Sequence, residues 1–239
     1  MLILDLTLNS PAENLALDEA MLLDAEDAAQ PREVLRIWEP QQTFAVLGSS
    51  SHYQDEVDAL LCRAEGVPVL RRPSGGAAIL TGPGCLMYAL VLSYERHPPL
   101  QAVDLTHRYV LGRLASSIGR RVIGVREAGT SDLALGDWKF SGNSMRCKRR
   151  FLLYHGTLLY DFSLEQIGRY LRTPARQPDY RRQRPHGEFV ANLPLDRAAL
   201  VSAVREAFHA EEPLVEWPRK RTAQLVAEKY ASDAWNERL

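Results

Sequence analysis

The chain has 239 residues, of which 46% are hydrophobic and 25% charged, and its formal net charge is −1. These values suit a soluble globular protein with a core of its own and exclude a disordered or fibrous chain. They also exclude the global positive field of a typical nucleic-acid binder, so electrostatic recognition must be local.

In chain order, "LILDLTL" (2–8) alternates like a strand. "SPAENLALDEAMLLDAED" (10–27) predicts a helix. Ser10 is its N-cap, Pro11 its first helical residue and Glu13 the partner in a capping box; Leu15, Met21 and Leu22 form the apolar stripe beside small Ala16. "EVLRIWE" (33–39) and "TFAVLGS" (43–49) predict a pair of strands joined around Pro40 and Gln41. Residues 51–66 predict a turn and then a helix stopping at Gly66, and "VPVLRR" (67–72) a short strand. "GCLMYALVLSYE" (84–95) is a long apolar strand, and residues 100–119 a helix. "RVIGVRE", "SDLALG", "WKFSGNSMRC" and "RFLLYHGTLLYDF" (121–162) give strands separated by glycine turns. "SLEQIGRYL" (163–171) predicts a helix, the Pro- and Arg-rich stretch 172–195 a long loop, and 196–210 and 221–239 the closing helices. Strand runs with intervening helices, but no regular βαβ alternation, predict an α+β fold: a mixed, mainly antiparallel sheet flanked by helices.

Cys62, Cys85 and Cys147 are widely spaced, with no CxxC pair and no zinc pattern. Such sparse usage fits a reduced cytoplasm, and no metal-ligand set is legible. The N-terminus lacks the pattern of a signal peptide, and no run reaches the roughly 18 apolar residues of a membrane span.

Two stretches carry candidate chemistry. In "RRPSGGAAILTGPGCLMY" (71–88) the paired glycines can bring backbone N–H groups close to an anion, and Arg71 and Arg72 offer forked donors. Taken alone, it reads as a glycine turn between strands. In "SDLALGDWKFSGNSMRC" (131–147) Lys139 sits between Trp138 and Phe140, where a partly desolvated cation could stabilise developing negative charge. Taken alone, it is a strand lysine. Arg146, Lys148, Arg149 and Arg150 form a local basic run, joined by Arg181, Arg182 and Arg184; such patches can dock an acidic protein or a polyphosphate. Without interleaved aromatics they do not point to nucleic acid.

Together, "RRPSGGAAILTGPGCLMYAL", "TSDLALGDWKFSGNSMRCKRR" and "YHGTLLYDF" resemble the lipoate–protein ligase family of the biotin/lipoate ligase superfamily, and the match is collinear over nearly the whole chain. The resemblance implies ATP-dependent activation of lipoate to lipoyl-AMP, with magnesium as phosphate partner. Transfer to a lysine of a lipoyl domain follows, on a dehydrogenase E2 subunit, a glycine-cleavage H protein or a similar acceptor. It implies that Lys139 is catalytic. It assigns Arg71, Arg72, Ser74, Gly75, Gly76 and Ala77 to the lipoate and adenylate loop, Asp132, Ser141, Gly142 and Asn143 to the nucleotide side, and His155, Gly156 and Thr157 to the strand behind the site.

The chain departs from the family pattern in three places. Ala77 replaces a third glycine, Thr81 stands where a histidine is usual, and Tyr154 replaces the first histidine of a His-His-Gly. We expect one catalytic domain over 1–239 without the accessory C-terminal domain of many relatives, which leaves room for a separate accessory protein in adenylation. No membrane or nucleic-acid partner is expected. Two alternatives stand beside this one: an ATP-independent octanoyl or lipoyl transferase using a cysteine thioester, although neither Cys85 nor Cys147 sits where transferases place that nucleophile, and a non-catalytic lipoate or lipoyl-domain binder. Biotin ligase fits less well, because its glycine loop is usually denser in arginine and glycine.

Overall fold

The computed structural model describes residues 1–30 and 32–238. Strand β1 (Leu2–Asp5) leads into helix α1 (Pro11–Asp27). The start of α1 is set locally. Ser10 Oγ accepts from the Glu13 amide, the Glu13 carboxylate accepts from the Ser10 amide at 2.9 Å, and Pro11 supplies a helical φ. The next strands are β2 (Val34–Trp38) and β3 (Phe44–Leu47). They do not pair with each other, contrary to the expectation of neighbouring strands: β2 lies between β1 and a later strand, whereas β3 crosses into a second sheet. All four residues of β3 are buried: β4 and β5 pair with its two edges, and side chains such as Leu15, Ile167 and Tyr230 share its apolar cluster.

The helix expected over 51–66 is split into α2 (Tyr53–Glu56) and α3 (Ala59–Ala64). Buried Val57 is extended and bridges to Leu171, and Asp58 then caps the new helix through the Leu61 amide at 3.0 Å. Strands β4 (Val69–Arg71) and β5 (Ile79–Thr81) flank the glycine-rich loop, and β6 (Cys85–Ser93) follows. Beyond α4 (Val103–Gly119) come β7 (Val125–Ala128), β8 (Asp132–Leu135), β9 (Trp138–Cys147) and β10 (Phe151–Leu159). After α5 (Glu165–Tyr170), the stretch read as a loop holds a short helix, α6 (His186–Phe189). The chain continues through α7 (Arg197–Phe208), β11 (Glu212–Pro213), α8 (Arg219–Leu225) and α9 (Asp233–Asn236). The single closing helix expected over 221–239 is therefore broken, by a π-helical turn at Val226–Tyr230 and a bend after it; Leu239 lies outside the described residues. The break lets Tyr230 and Lys229 both reach the Glu19 carboxylate on α1, at 2.6 and 2.7 Å.

Eight strands form one sheet in the order β11-β1-β2-β6-β10-β9-β8-β7, parallel only across β11-β1-β2; the other sheet is β4-β3-β5. The α+β, mainly antiparallel architecture read from the sequence is the one observed. Strands β6 and β10, nine residues each, are buried at every position. Leucines and Tyr154 on one face meet Val110 and Leu114 of α4 and Leu200 and Val204 of α7. On the other face Ala89, Val91, Phe151 and Leu153 meet Leu17, Met21 and Leu22 of α1. Each such leucine stabilises the fold by about 1.5–3 kcal/mol. No described helix is long and apolar enough to cross a membrane.

One buried charge pins α1 to the sheet. Arg36 of β2 is fully buried and donates to the carbonyls of Leu6 and Asn14, to Asn14 Oδ1, and to Asp18 Oδ1 at 2.6 Å. Removing the carboxylate leaves a buried cation short of its counter-charge. We therefore expect Asp18→Ala to lower the unfolding free energy by about 3–5 kcal/mol, read from urea midpoints at constant m-value.

Candidate active site

The glycine-rich loop between β4 and β5 is shaped by Arg72. This buried guanidinium donates to the carbonyls of Val46 (3.1 Å), Gly75 (2.5 Å) and Ala77 (3.0 Å) and to Ser74 Oγ (3.1 Å). Burial lowers its pKa to about 10, which still leaves it charged at neutral pH. Gly76 has φ +91, and a Cβ there would sit 3.0 Å from Arg72 Nη2, so the turn requires glycine. The neighbouring elements hold the loop from outside. Ser144 Oγ donates to Gly75 O at 2.8 Å, Ser51 Oγ to Gly76 O at 3.1 Å, and the Ala78 amide to the Glu56 carboxylate at 2.7 Å.

Arg71 does not share this role. Strand alternation turns it away from the cavity. It donates there to the carbonyls of Gly48, Ser51, Trp235, Asn236 and Arg238, at 2.5–3.1 Å for the best contact to each. The expected ligand contact of Arg71 is thus replaced by a clasp on the last residues of the chain.

Strands β8, β9 and β10 form the opposite wall. The register of β8 against β9 shifts at Leu133/Ala134, and this bulge brings Lys139 over Gly142, two positions that strict alternation would place on opposite faces. Lys139 Nζ lies 2.7 Å from Asp132 Oδ1, and the other Asp132 oxygen accepts from Tyr180 OH at 2.7 Å. Burial, and then the neighbouring Asp132 charge, push the Tyr180 hydroxyl upward, which keeps it a proton donor. Asn143 accepts from Tyr88 OH at 2.5 Å and donates to Ser131 O at 2.8 Å, and its side chain packs against Gly156. His155 Nε2 is 2.5 Å from Ser74 Oγ, and its Nδ1 is 3.8 Å from Asp18 Oδ2. Thr157 Oγ1 is 3.3 Å from the Gly142 amide that donates to it.

These elements enclose a cavity of about 830 Å³. Of the residues expected from the sequence, Arg72, Gly76 and Ala77 line one side, Asp132, Lys139, Gly142 and Asn143 a second, and His155, Gly156 and Thr157 the floor. Ser74, Gly75 and Ser141 stand behind the lining and support it. Sequence reasoning missed two features. The first is an apolar arm made by Leu15, Val46, Ile79 and Met87, whose strand and helix periodicity reads simply as core. The second is the cover formed by residues 174–181 with Phe189, drawn from the stretch that has no period. An annex of about 120 Å³ opens off the cavity beside Lys139 and Thr157, walled by Leu159, Ile167, Leu171 and Val190. The expected basic patch is smaller than read. Arg150 is spent on the carbonyls of Glu26 and Ala28, Arg184 on those of Asp137, Tyr180, Arg181 and Glu188, and Arg181 is buried. Arg146, Lys148 and Arg149 remain exposed.

No three His, Cys, Asp or Glu side chains among the described residues converge as a metal site, and both oxygens of Asp132 are already engaged. The donor set does not form a magnesium cage; a magnesium ion at this cavity would be one carried on substrate phosphates.

Two glycines separate geometric demand from composition. A Cβ at Gly156 would fall 1.8 Å from Asn143 Oδ1, whereas one at Gly75 would meet nothing within 4 Å. We expect Gly156→Ala to cost about 1–3 kcal/mol and to displace Asn143, and Gly75→Ala to be neutral. Thermal melts of the two variants check both outcomes.

The family model of the lipoyl protein ligase A/B catalytic domain matches residues 10–211. A putative lipoate-protein ligase A of Aeropyrum pernix is 33% identical over 168 residues, covering 70% of this chain but only 61% of that protein. An octanoyltransferase LipM of Carboxydothermus hydrogenoformans is 28% identical over 260 aligned positions, covering 95% of this chain and 94% of that one. Among solved structures, a lipoate-protein ligase A bound with ATP superposes with a TM-score of 0.83 at 20% identity, covering 99% of this chain and 98% of that chain. A bipartite lipoate protein ligase of Thermoplasma acidophilum, from an archaeal lipoylation system that includes its E2 lipoyl domain, superposes with a TM-score of 0.81 at 21% identity, covering 99% and 95%. At such identities the structural likeness concerns the fold. With the family model spanning most of its length, the chain belongs to the lipoyl protein ligase A/B catalytic domain family.

Proposed function

We propose that residues 1–239 act as one catalytic unit of an ATP-dependent lipoate–protein ligase. The observation that carries this reading is the Lys139 ammonium, fixed by Asp132 inside a cavity whose lining holds no thiol among the described residues. Adenylation needs a fixed cation where charge develops, and thioester transfer needs a nucleophilic sulfur. The lipoate carboxylate would attack the α-phosphorus of ATP and expel pyrophosphate, giving lipoyl-AMP. An acceptor lysine amine would then attack the acyl carbonyl, lose its proton and expel AMP. The acyl chain suits the arm of Leu15, Val46, Ile79 and Met87, which leaves the reacting oxygens to the Lys139 side of the same cavity. A lipoyl domain as acceptor follows the Thermoplasma neighbour, and the exposed Arg146, Lys148 and Arg149 suit an acidic one. A cytoplasmic site of action suits the three sparse, unpaired cysteines.

The cysteines weigh against transfer through sulfur. Burial pushes the Cys85 thiol up to about 12 and raises that of Cys62; Cys147 is exposed at the end of β9, outside the cavity. One observation favours the second reading, an ATP-independent octanoyltransferase: the LipM relative aligns over nearly its whole length, the ligase relative over 61% of its own.

The test supplies lipoate, ATP and magnesium and measures pyrophosphate and lipoyl-AMP. We expect both to form, and Lys139→Ala to lower the rate by about 10²-fold or more, the cost of losing one preorganised charge, while its melting curve is kept. Alkylation by iodoacetamide is expected at Cys147 alone, with adenylation unchanged. If only supplied lipoyl-AMP is transferred, a separate accessory chain is required. ATP-free transfer from an octanoyl carrier protein, abolished by alkylation, would establish the transferase. Lipoate binding with neither reaction would mark a non-catalytic binder.

A further inference from the structure

The cover over the cavity holds one cation that the protein leaves unsatisfied. Arg181 is 3% exposed, and its Nη2 is buried with no hydrogen-bond partner among the described residues. The other buried arginines, 36, 71 and 72, are surrounded by carbonyl and carboxylate oxygens. A buried, unpaired guanidinium N–H costs stability unless an acceptor arrives. Burial lowers the Arg181 pKa, and a guanidinium stays protonated in proteins.

The side chain is held in place before any ligand binds. Arg181 Nε donates to Arg184 O at 2.9 Å, Arg184 Nε donates back to Arg181 O at 3.1 Å, and the Arg181 guanidinium lies 4.8 Å from the Phe189 ring centre. Between the two arginines, Arg182 and Gln183 adopt left-handed φ values of 52 and 57, which closes the clasp. Arg181 lines both the main cavity and its annex, and the residues common to both include Lys139, Gly142 and Thr157. The junction thus has a lysine paired with Asp132 on the sheet and an arginine with free bonding capacity on the cover.

We propose that Arg181 is a phosphate-binding residue: its guanidinium takes α-phosphoryl oxygens of the nucleotide, across the cavity from Lys139. The assignment rests on the ATP-dependent reading, since only that reaction puts a phosphoryl group at this junction. A planar guanidinium suits two oxygens of one phosphoryl group, and this one is itself shielded from solvent, which strengthens such bonds. The 172–195 connection therefore contributes a charge as well as a cover.

The experiment measures AMP, ATP and lipoate binding separately by calorimetry on the wild-type chain, Arg181→Met and Arg181→Lys. Methionine keeps an aliphatic contact with Phe189 and removes every donor. We expect Arg181→Met to weaken AMP and ATP binding at least tenfold, with lipoate binding in the absence of nucleotide changed less than twofold, and Arg181→Lys to recover part of the loss. Nucleotide binding by Arg181→Met as tight as in the wild-type chain overturns the assignment and leaves the ATP-dependent reading standing. Equal loss of lipoate and nucleotide binding in both variants, with lowered melting temperatures, also overturns it, because it marks a purely structural arginine. A wild-type chain that binds lipoate but neither nucleotide overturns the ATP-dependent reading and the assignment together.

Discussion

A guanidinium carries five N–H donors and keeps its charge at any physiological pH, so each one taken into the interior must be surrounded by acceptors. This chain buries three in its framework and builds around them. Arg36 gathers the end of β1, the first turns of α1 and Asp18. Arg71 gathers the turn after β3 and the last described residues. Arg72 gathers its own loop and the carbonyl of Val46. Backbone carbonyls are half of the acceptor atoms around Arg36 and most of those around Arg71 and Arg72, so satisfying the charge fixes the path of the main chain. Arg181 departs from this rule, and it does so at the cavity.

The framework and the site are also one polar system. Asp18 bonds to Arg36 on one side and faces His155 on the other; His155 contacts Ser74; Ser74 accepts from Arg72. The chain of contacts runs from the sheet under α1 to the glycine loop with no apolar interruption. In the low dielectric of the interior such contacts reinforce one another, and a half-satisfied member is costly. The loop therefore has one well-determined shape, a condition for holding reacting groups in register.

Features set by neighbours in sequence were legible. The capping box of Ser10 and Glu13 lies within four residues, and the apolar runs of β6 and β10 announce strands covered on both faces. The resemblance named the loop, Lys139 and the His155 strand together, which no single motif did. What stayed hidden depends on tertiary choice. Arg71 and Arg72 are chemically identical neighbours; alternation says that they point apart but not which one meets the cavity. Lys139 and Gly142 share a face only because of the shift at Leu133/Ala134, invisible to a period of two. Tyr180 and Arg181 sit in a stretch whose order comes from Asp132, Arg184 and Phe189 rather than from local pattern. The split of 51–66 likewise comes from Val57 joining Leu171.

The clasp of Arg71 has a consequence for the order in which the protein matures. Its bonds to Trp235, Asn236 and Arg238 close loops of 164 to 167 residues, among the most non-local contacts in the chain. Such contacts form late, because the entropy of closing a long loop is spent before they reward it. On a ribosome the strands and α1 can assemble while synthesis continues. The turn at Gly48–Ser51, which braces Gly76, gains its full set of partners only when residues 235–238 have emerged. Completion of the cavity is thereby tied to the synthesis of a segment 164 to 167 residues downstream of Arg71.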